Sequence, residues 1–253
     1  MLKRLLAWIF AIILAGAVLV ALLPGSTGSP GGLDDYTWYT EEYPPYNYAK
    51  DGIPGGTSVD VLRDILTGMG MDPAGARIRV GPWTEGYQAV LHTPGTVIFS
   101  TARTPEREHL FKWAGPIFSS RNVLFALKEE NVTVSTPGDL ERLRIGVIRD
   151  DIAEADLVSM GISPDGLVVS SDAREIVSLL EDGEIDAWAY AELPGEAIIR
   201  ANAGDPGKFE VVYSLGTRDY YFAFNREVPD RVVNEFQAEI DRLGLSRRDI
   251  TPG

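Results

Sequence analysis

Arg107 stands in the run RTPEREHLF at 103–111, where Thr104 is a good N-cap and Pro105 suits the first helical position because its missing N–H costs nothing there. The spacing predicts a short helix with an arginine in its first turn. That turn holds the positive end of the helix dipole, so Arg107 is unfavourable there by a few tenths of a kcal/mol and something must offset it. Two chemistries would do so. Glu106 and Glu108 neutralise it on a solvated face, or the exposed N–H groups and the forked guanidinium together receive a carboxylate. Arg103, at the head of the run, offers a second cation for another anionic group.

The other candidates suit holding rather than transforming a small molecule. Tyr43, Tyr46, Tyr48 and Trp83 are aromatic walls, and in Tyr43-Pro-Pro-Tyr46 two prolines stiffen a loop just after the first strand. Asp150, Asp151 and Glu192 lie near strand ends and offer negative charge to a cationic group, although Asp150 or Asp151 is also a good N-cap for the helix that follows. No GxxxxGK[ST] loop, no GxGxxG after a strand, no HExxH and no GxSxG elbow occurs, and the histidines are His92 and His109 alone. Nucleotide binding, a zinc site and serine-hydrolase chemistry are therefore poor fits. No cofactor, no metal and no catalytic residue is expected.

Net charge is −14 with a sequence pI of about 4.6, and without a basic stripe nucleic acid is a poor partner. Lys3 and Arg4 precede 19 residues without a charge, LLAWIFAIILAGAVLVALL at 5–23. That length suits a membrane-spanning helix better than the shorter core of a cleavable signal, so 1–23 is read as a signal or anchor with a cytoplasmic N-terminus. Everything beyond it is then extracytoplasmic, periplasmic or at the cell surface, tethered by the helix unless that is cleaved. There is no cysteine, hence neither a disulfide nor a lipid-modified cysteine. Residues 24–35, PGSTGSPGGLDD, read as a flexible linker.

Strand and helix signals alternate after that. Strands are expected at 36–40, 77–80, 97–101, 122–127, 143–148, 167–170, 185–191 and 209–213. Helices are expected at 57–69, with Thr57 and Asp60 as a capping box, and at 84–91, 152–160, 173–180 and 229–243, with a short one opened by Thr136-Pro137. Alternation of this kind implies an α/β protein with mostly parallel sheets, whose ligands bind at the carboxyl ends of strands. Residues 36–253 are enough for two such lobes.

In chain order the motifs EYPPYNY, DGIPGGTSVDVL, TARTPEREHLFKWAGPI, TPGDLERLRIGV and LLEDGEIDAW resemble the family 3 extracellular solute-binding proteins, which deliver polar amino acids to ABC transporters. The resemblance runs from about Tyr36 to Leu243. It implies a two-lobed periplasmic-binding-protein-like clamp with two crossover strands, near 118–127 and 217–225, preceded here by an N-terminal hydrophobic helix. Lobe 1 would be 36–117 with 218–253, and lobe 2 would be 118–217. It also implies that Arg107 holds the ligand's α-carboxylate, that Ser100 and the Ala102 N–H add hydrogen bonds, and that Tyr43 covers the ligand with Trp83 as a further wall.

Two departures matter. The family's Gly-Thr or Gly-Ser pair after the IGV strand is here Arg149-Asp150-Asp151-Ile152, and the family's ammonium-binding acid falls at Ala191, next to Glu192. The function implied is a monomeric substrate-binding component of an ABC importer, with the ligand bridging Arg107 and the 150–152 loop. A membrane-tethered sensing module is the alternative, and a dehydratase acting on a cyclic carboxylate, with Glu192 as general acid, is a further one.

Overall fold

The computed structural model describes residues 33–245. The expected anchor at 1–23, the linker up to residue 32 and the C-terminal residues from 246 lie outside the described residues. Among those described, no helix is long and apolar enough to cross a membrane. Leu33, read above as linker, lies in a 3-10 turn (Leu33–Asp35) and is buried in the core.

In chain order the elements are β1 (Thr37–Thr40), β2 (Tyr48–Lys50), β3 (Ile53–Gly55), α1 (Thr57–Gly68), β4 (Arg77–Val80), α2 (Trp83–His92), β5 (Thr96–Ala102) and β6 (Lys112–Leu127). There follow β7 (Ile145–Ile148), α3 (Ile152–Ser159), β8 (Leu167–Ser170), α4 (Ala173–Glu181), β9 (Ala187–Ala191), α5 (Glu192–Asn202), β10 (Phe209–Phe224) and α6 (Asp230–Leu243). One sheet runs in the order β4-β1-β5-β10-β6-β9-β7-β8, with β2 and β3 as a separate hairpin. The pairs β1 with β4 and β5, and β7 with β8 and β9, are parallel. Strands β5, β7 and β9 are buried at every position, as strands covered by helices on both sides must be.

Strands β6 and β10, of 16 residues each, cross the whole sheet. The first half gathers β4, β1 and β5 beside residues 220–224 of β10, and the second gathers β9, β7 and β8 beside residues 122–125 of β6. Between them, 119–121 and 217–219 pair with each other and, among the described residues, with no third strand. In the first half Trp38 stacks on Phe236 of α6 at 5.5 Å and meets Phe222 and Phe224 edge-on. A smaller cluster around Leu124, Leu140, Val147 and Leu157 serves the second half.

Several local expectations change. Residues 105–110 form successive turns rather than a helix, held by Arg107 N donating to the Thr104 carbonyl and Leu110 N to the Arg107 carbonyl. Thr104 still caps, its hydroxyl accepting from Arg107 N at 3.3 Å. The Thr57–Asp60 capping box does not form, because Gly56 is the N-cap of α1 and Asp60 pairs with Arg63 instead. A side chain at Gly56 would lie 2.4 Å from the Tyr46 carbonyl oxygen, and its φ of 106° favours glycine as well. Helix α5 was unanticipated, since Pro194 and Gly195 look like breakers. Pro194 falls in the first turn, where it is tolerated, and Gly195 lets the helix sit against the Phe125 ring, which an added Cβ would approach to 2.3 Å. The β2–β3 hairpin is likewise not among the strands expected above.

Candidate functional site

Three of the expected residues follow from the way the loop after β1 is folded. Tyr43 N donates to the Asn47 carbonyl at 2.7 Å and Asn47 N donates back to the Tyr43 carbonyl at 3.1 Å, which closes the Pro-Pro loop on itself. The fully buried Asn47 side chain donates to the Glu41 carbonyl at 2.7 Å and accepts from the Ser100 hydroxyl at 2.6 Å. Ser100 is the extra residue of a bulge, because β10 passes from pairing with Thr101 to pairing with Phe99, and it takes φ 59° to do so. A β-bulge with left-handed backbone re-aims a side chain at the end of a strand, and here the aim is Asn47.

The loop's rings are buried at the junction of the halves. Tyr46 stacks on Phe118 at 3.9 Å, and Phe118 stacks on Tyr220 at 4.7 Å. The hydroxyls of Tyr43 and Tyr220 share a hydrogen bond of 2.8 Å, and Tyr43 meets Tyr190 edge-on at 5.5 Å.

Arg107 is 7 % exposed and lies 5.5 Å from the ring centres of both Trp83 and Tyr87. Its Nη1 donates to the Ala102 carbonyl at 3.3 Å, so Ala102 takes part through its oxygen, whereas its N–H was expected to. Its Nη2 donates at 2.6 Å to the Asp150 carbonyl, which also accepts from Trp83 Nε1 at 2.9 Å. Two donors of the first half thus converge on one oxygen of the second. Asp150 presents that oxygen from a left-handed conformation, φ 59°, with its own N–H donated to Glu154 Oε2 at 2.6 Å. Asp151 caps α3, accepting from Ala153 N at 2.9 Å, and Ile152 beside it is buried.

Two cavities border the residues of this contact. One of about 490 Å³ is bordered by Glu41, Glu42, Trp83, Tyr190, Asp172 and Arg174. The other, of about 680 Å³, is bordered by Tyr87, Arg107, Asp150, Asp151, Asp156 and Arg218. Burial pushes the Asp151 carboxyl above the usual carboxylate range, against the downward pull of the Ala153 N–H and the Arg107 charge. Burial, reinforced by the charge of Asp151, holds the Glu41 carboxyl well above it, although the Tyr190 hydroxyl donates to Glu41 at 3.4 Å. Burial likewise raises the Tyr43, Tyr190 and Tyr220 hydroxyls, which are neutral phenols at pH 7.

Residues 37–243 match the family model of Bacterial extracellular solute-binding proteins, family 3. The chain belongs to this family. As a family 3 protein it is a ligand-binding module, and membership in an extracellular family implies an extracytoplasmic location. A histidine kinase sensor domain with similarity to periplasmic binding proteins superposes with TM-score 0.73 at 22% identity, over 84% of this chain and 94% of that one. Holo ArgBP from T. maritima superposes with TM-score 0.70 at 18% identity, over 85% and 92%. The arginine-, lysine-, histidine-binding protein ArtJ from Geobacillus stearothermophilus gives TM-score 0.70 at 17% identity, over 83% and 90%. At these identities the likeness is one of fold. No curated protein matches the chain.

Two expected residues of this family 3 protein are engaged elsewhere. Arg103 borders the larger cavity, but it grips Glu108 through two hydrogen bonds of 2.7 and 2.6 Å and lies over the Trp113 and Tyr221 rings. Glu192 begins α5 just after β9 ends at Ala191, and it is paired with Arg121. Sequence reasoning missed Glu41, Asn47, Tyr190, Tyr220, Asp156 and Arg218. Glu41 had a usable signal, since it directly follows the carboxyl end of a strand in a parallel sheet. Tyr190 was hidden beside Ala191, and Tyr220 and Arg218 lay in a stretch read only as a crossover.

Proposed function

We propose that this family 3 protein is the extracytoplasmic receptor of an ABC importer, tethered by 1–23, and that its ligand is a small amino acid carrying an additional cationic group. The observation that carries the ligand class is the charge inventory of the cleft. Arg103, Arg174 and Arg218 at the cavity walls are each paired with a carboxylate, which leaves Arg107 as a cation outside an ion pair and Glu41 and Asp151 as carboxylates outside one, whose burial makes them costly to ionise without a cation nearby. A cationic amino acid inverts that inventory, with one carboxylate for Arg107 and two cationic groups for Glu41 and Asp151. The acid that the family places at Ala191 is then replaced by Asp151, which follows the neighbouring strand β7. Arginine binding by ArgBP and ArtJ accords with this class.

The mechanism is a population shift between open and closed halves, the boundary lying near 118 and 217, with no covalent step. On ligand entry a carboxylate takes the place of the Asp150 carbonyl on Arg107, a stronger acceptor for the same forked donor. The Trp83 and Tyr87 rings, 5.4 Å apart, lie together beside the guanidinium and help orient it.

Calorimetric titration with L-arginine, L-lysine, L-glutamine and agmatine tests this. The cationic amino acids are expected to bind at least about tenfold tighter than glutamine, and agmatine, which lacks the carboxylate, at least about tenfold weaker than arginine. Tighter binding of glutamine or of a dicarboxylate would sink the cationic class. A sensing role is the second reading, supported by the likeness to a histidine kinase sensor domain. Uptake of radiolabelled ligand by cells with and without the protein separates the two: loss of uptake on deletion favours import, and unchanged uptake favours sensing.

A further inference from the structure

The two halves are joined by a ribbon of three residue pairs, Ser119 with Asp219, Ser120 with Arg218 and Arg121 with Thr217. Paired residues of an antiparallel ladder share a face, and faces alternate along each strand. Arg218, Ser120 and Asn122 therefore lie on one face, and Arg121 lies on the other. Each face is bound to a helix of the second half. On the first face Arg218 donates to Asp156 Oδ1 of α3 through Nε at 3.1 Å and Nη2 at 2.6 Å, and Asn122 Nδ2 donates to Asp156 Oδ2 at 3.1 Å. The Asp156 side chain is 4 % exposed. On the opposite face Arg121 grips Glu192, the first residue of α5, with Nε at 2.6 Å from Oε2 and Nη2 on Oε1. A carboxylate suits that helix start.

The other end of the ribbon is held differently. Phe118 and Tyr220 stack on each other and on Tyr46, and Tyr220 bonds Tyr43, so the first half meets the ribbon through rings and a phenol pair rather than ions. Stacked rings can slide and tilt, whereas a buried carboxylate held by three donors cannot give up its partners without a large penalty.

We propose that Arg121 and Arg218 are positioning residues that, with Glu192 and Asp156, splint both faces of the ribbon to the second half, so that opening and closing bend the chain at the Phe118–Tyr220 end. This rests on the reading of the molecule as a closing clamp. It assigns Glu192 to the hinge instead of the ligand. Because the pairs persist in both states they set where the chain bends, and the more exposed Arg121–Glu192 pair, whose side chains are 49 % and 21 % exposed, is the one that salt loosens.

The chain has no cysteine, so Thr67→Cys on α1 and Ser178→Cys on α4, both exposed, allow spin labels on each half of the full chain. Pulsed electron–electron distance measurements, with and without saturating L-arginine as the probe, then read the two states. In the parent, two narrow distance distributions are expected. The Arg121→Gln and Glu192→Gln variants should broaden both distributions, about twofold in width, as high salt does in the parent, and the swap Arg121→Glu with Glu192→Arg should narrow them again. Asp156→Asn should broaden them further. Two distances in the parent with every variant unchanged overturn the splint and leave the clamp standing. One distance throughout, with and without the probe, overturns both.

Discussion

The two sides of the cleft are built on different terms. On the first side Glu41, Tyr43, Ser100 and Arg107 are bound into one framework by Asn47, the Ser100 bulge and the Ala102 carbonyl, with the Trp83 and Tyr87 rings around the guanidinium. On the second side one loop, 150–152, is held by a helix cap and by the Glu154 carboxylate, and Tyr190 adds a phenol from β9. On the proposed function the first side is a preorganised receptor and the second a movable acceptor, whose Asp150 carbonyl already accepts from Arg107 and Trp83. Ordering costs are met during folding on the first side and at closure on the second. Substitutions on the first side should therefore reduce affinity and, where they cut the framework, stability too. Substitutions on the second should reduce affinity while leaving the fold largely intact.

The largest effect that would sharpen this contrast is at Arg107. Arg107→Ala removes the forked donor, and binding of L-arginine measured by calorimetry is expected to weaken by about 3 kcal/mol, roughly a hundredfold. Unchanged affinity would mean that the ligand's anionic group is held elsewhere.

Next, Asn47→Ala leaves the Ser100 hydroxyl without its acceptor and the Glu41 carbonyl without its side-chain donor. It should cost about 2 kcal/mol in denaturant unfolding and also weaken binding. On the other side, Asp151→Asn keeps a side chain that can cap α3 and should weaken arginine binding about tenfold with little change in the unfolding midpoint. If Asp151→Asn destabilises as much as Asn47→Ala does, the contrast between framework and movable loop fails.

A smaller effect separates Glu41 from its surroundings by pH. Burial and the charge of Asp151 raise the Glu41 carboxyl above its unfolded value. Its contribution is therefore full below the ordinary carboxylate range and is lost as pH rises through the raised value. Glu41→Gln should leave the melting temperature near that of the parent at pH about 4 and raise it above the parent at pH about 8, with no ligand added. The reverse trend would show Glu41 stabilised as an anion by the fold itself. The least effect is expected from Trp83→Phe, which keeps a ring beside Arg107 but loses the donor to Asp150; affinity should change by about 1 kcal/mol or less.

Much of the framework could be read from local signals. The Asp151 cap, the Thr136 cap with Asp139, the apolar runs of β5, β7 and β9, and the apolar faces of α1, α4 and α6 each depend on neighbours within a few residues. The resemblance in chain order then singled out Arg107, Tyr43, Trp83 and the 150–152 loop; the fold joins Arg107 and Trp83 through the Asp150 carbonyl and packs Tyr43 against Tyr190 and Tyr220. What could not be read depended on partners far along the chain. Glu192 looked free in sequence, and its partner Arg121 is 71 residues away. Tyr220 looked like an ordinary crossover residue, and its hydroxyl meets Tyr43 across a separation of 177 residues. The turn at 105–110 had a helix's opening residues but the chain must enter β6 at Lys112, and only the sheet determines that.

By itself, then, the amino-acid sequence determined the alternation of strand and helix, the helix caps and the family, because propensity, periodicity and capping act over one or two turns of chain. The tertiary structure alone decided which charges meet. It set Arg107 against the Asp150 carbonyl, brought Glu41 and Asp151 to the walls of two cavities, and bound each face of the ribbon to the second half, because the charge partners of a buried or half-buried group are set by the packing of distant segments. No local rule carries that information.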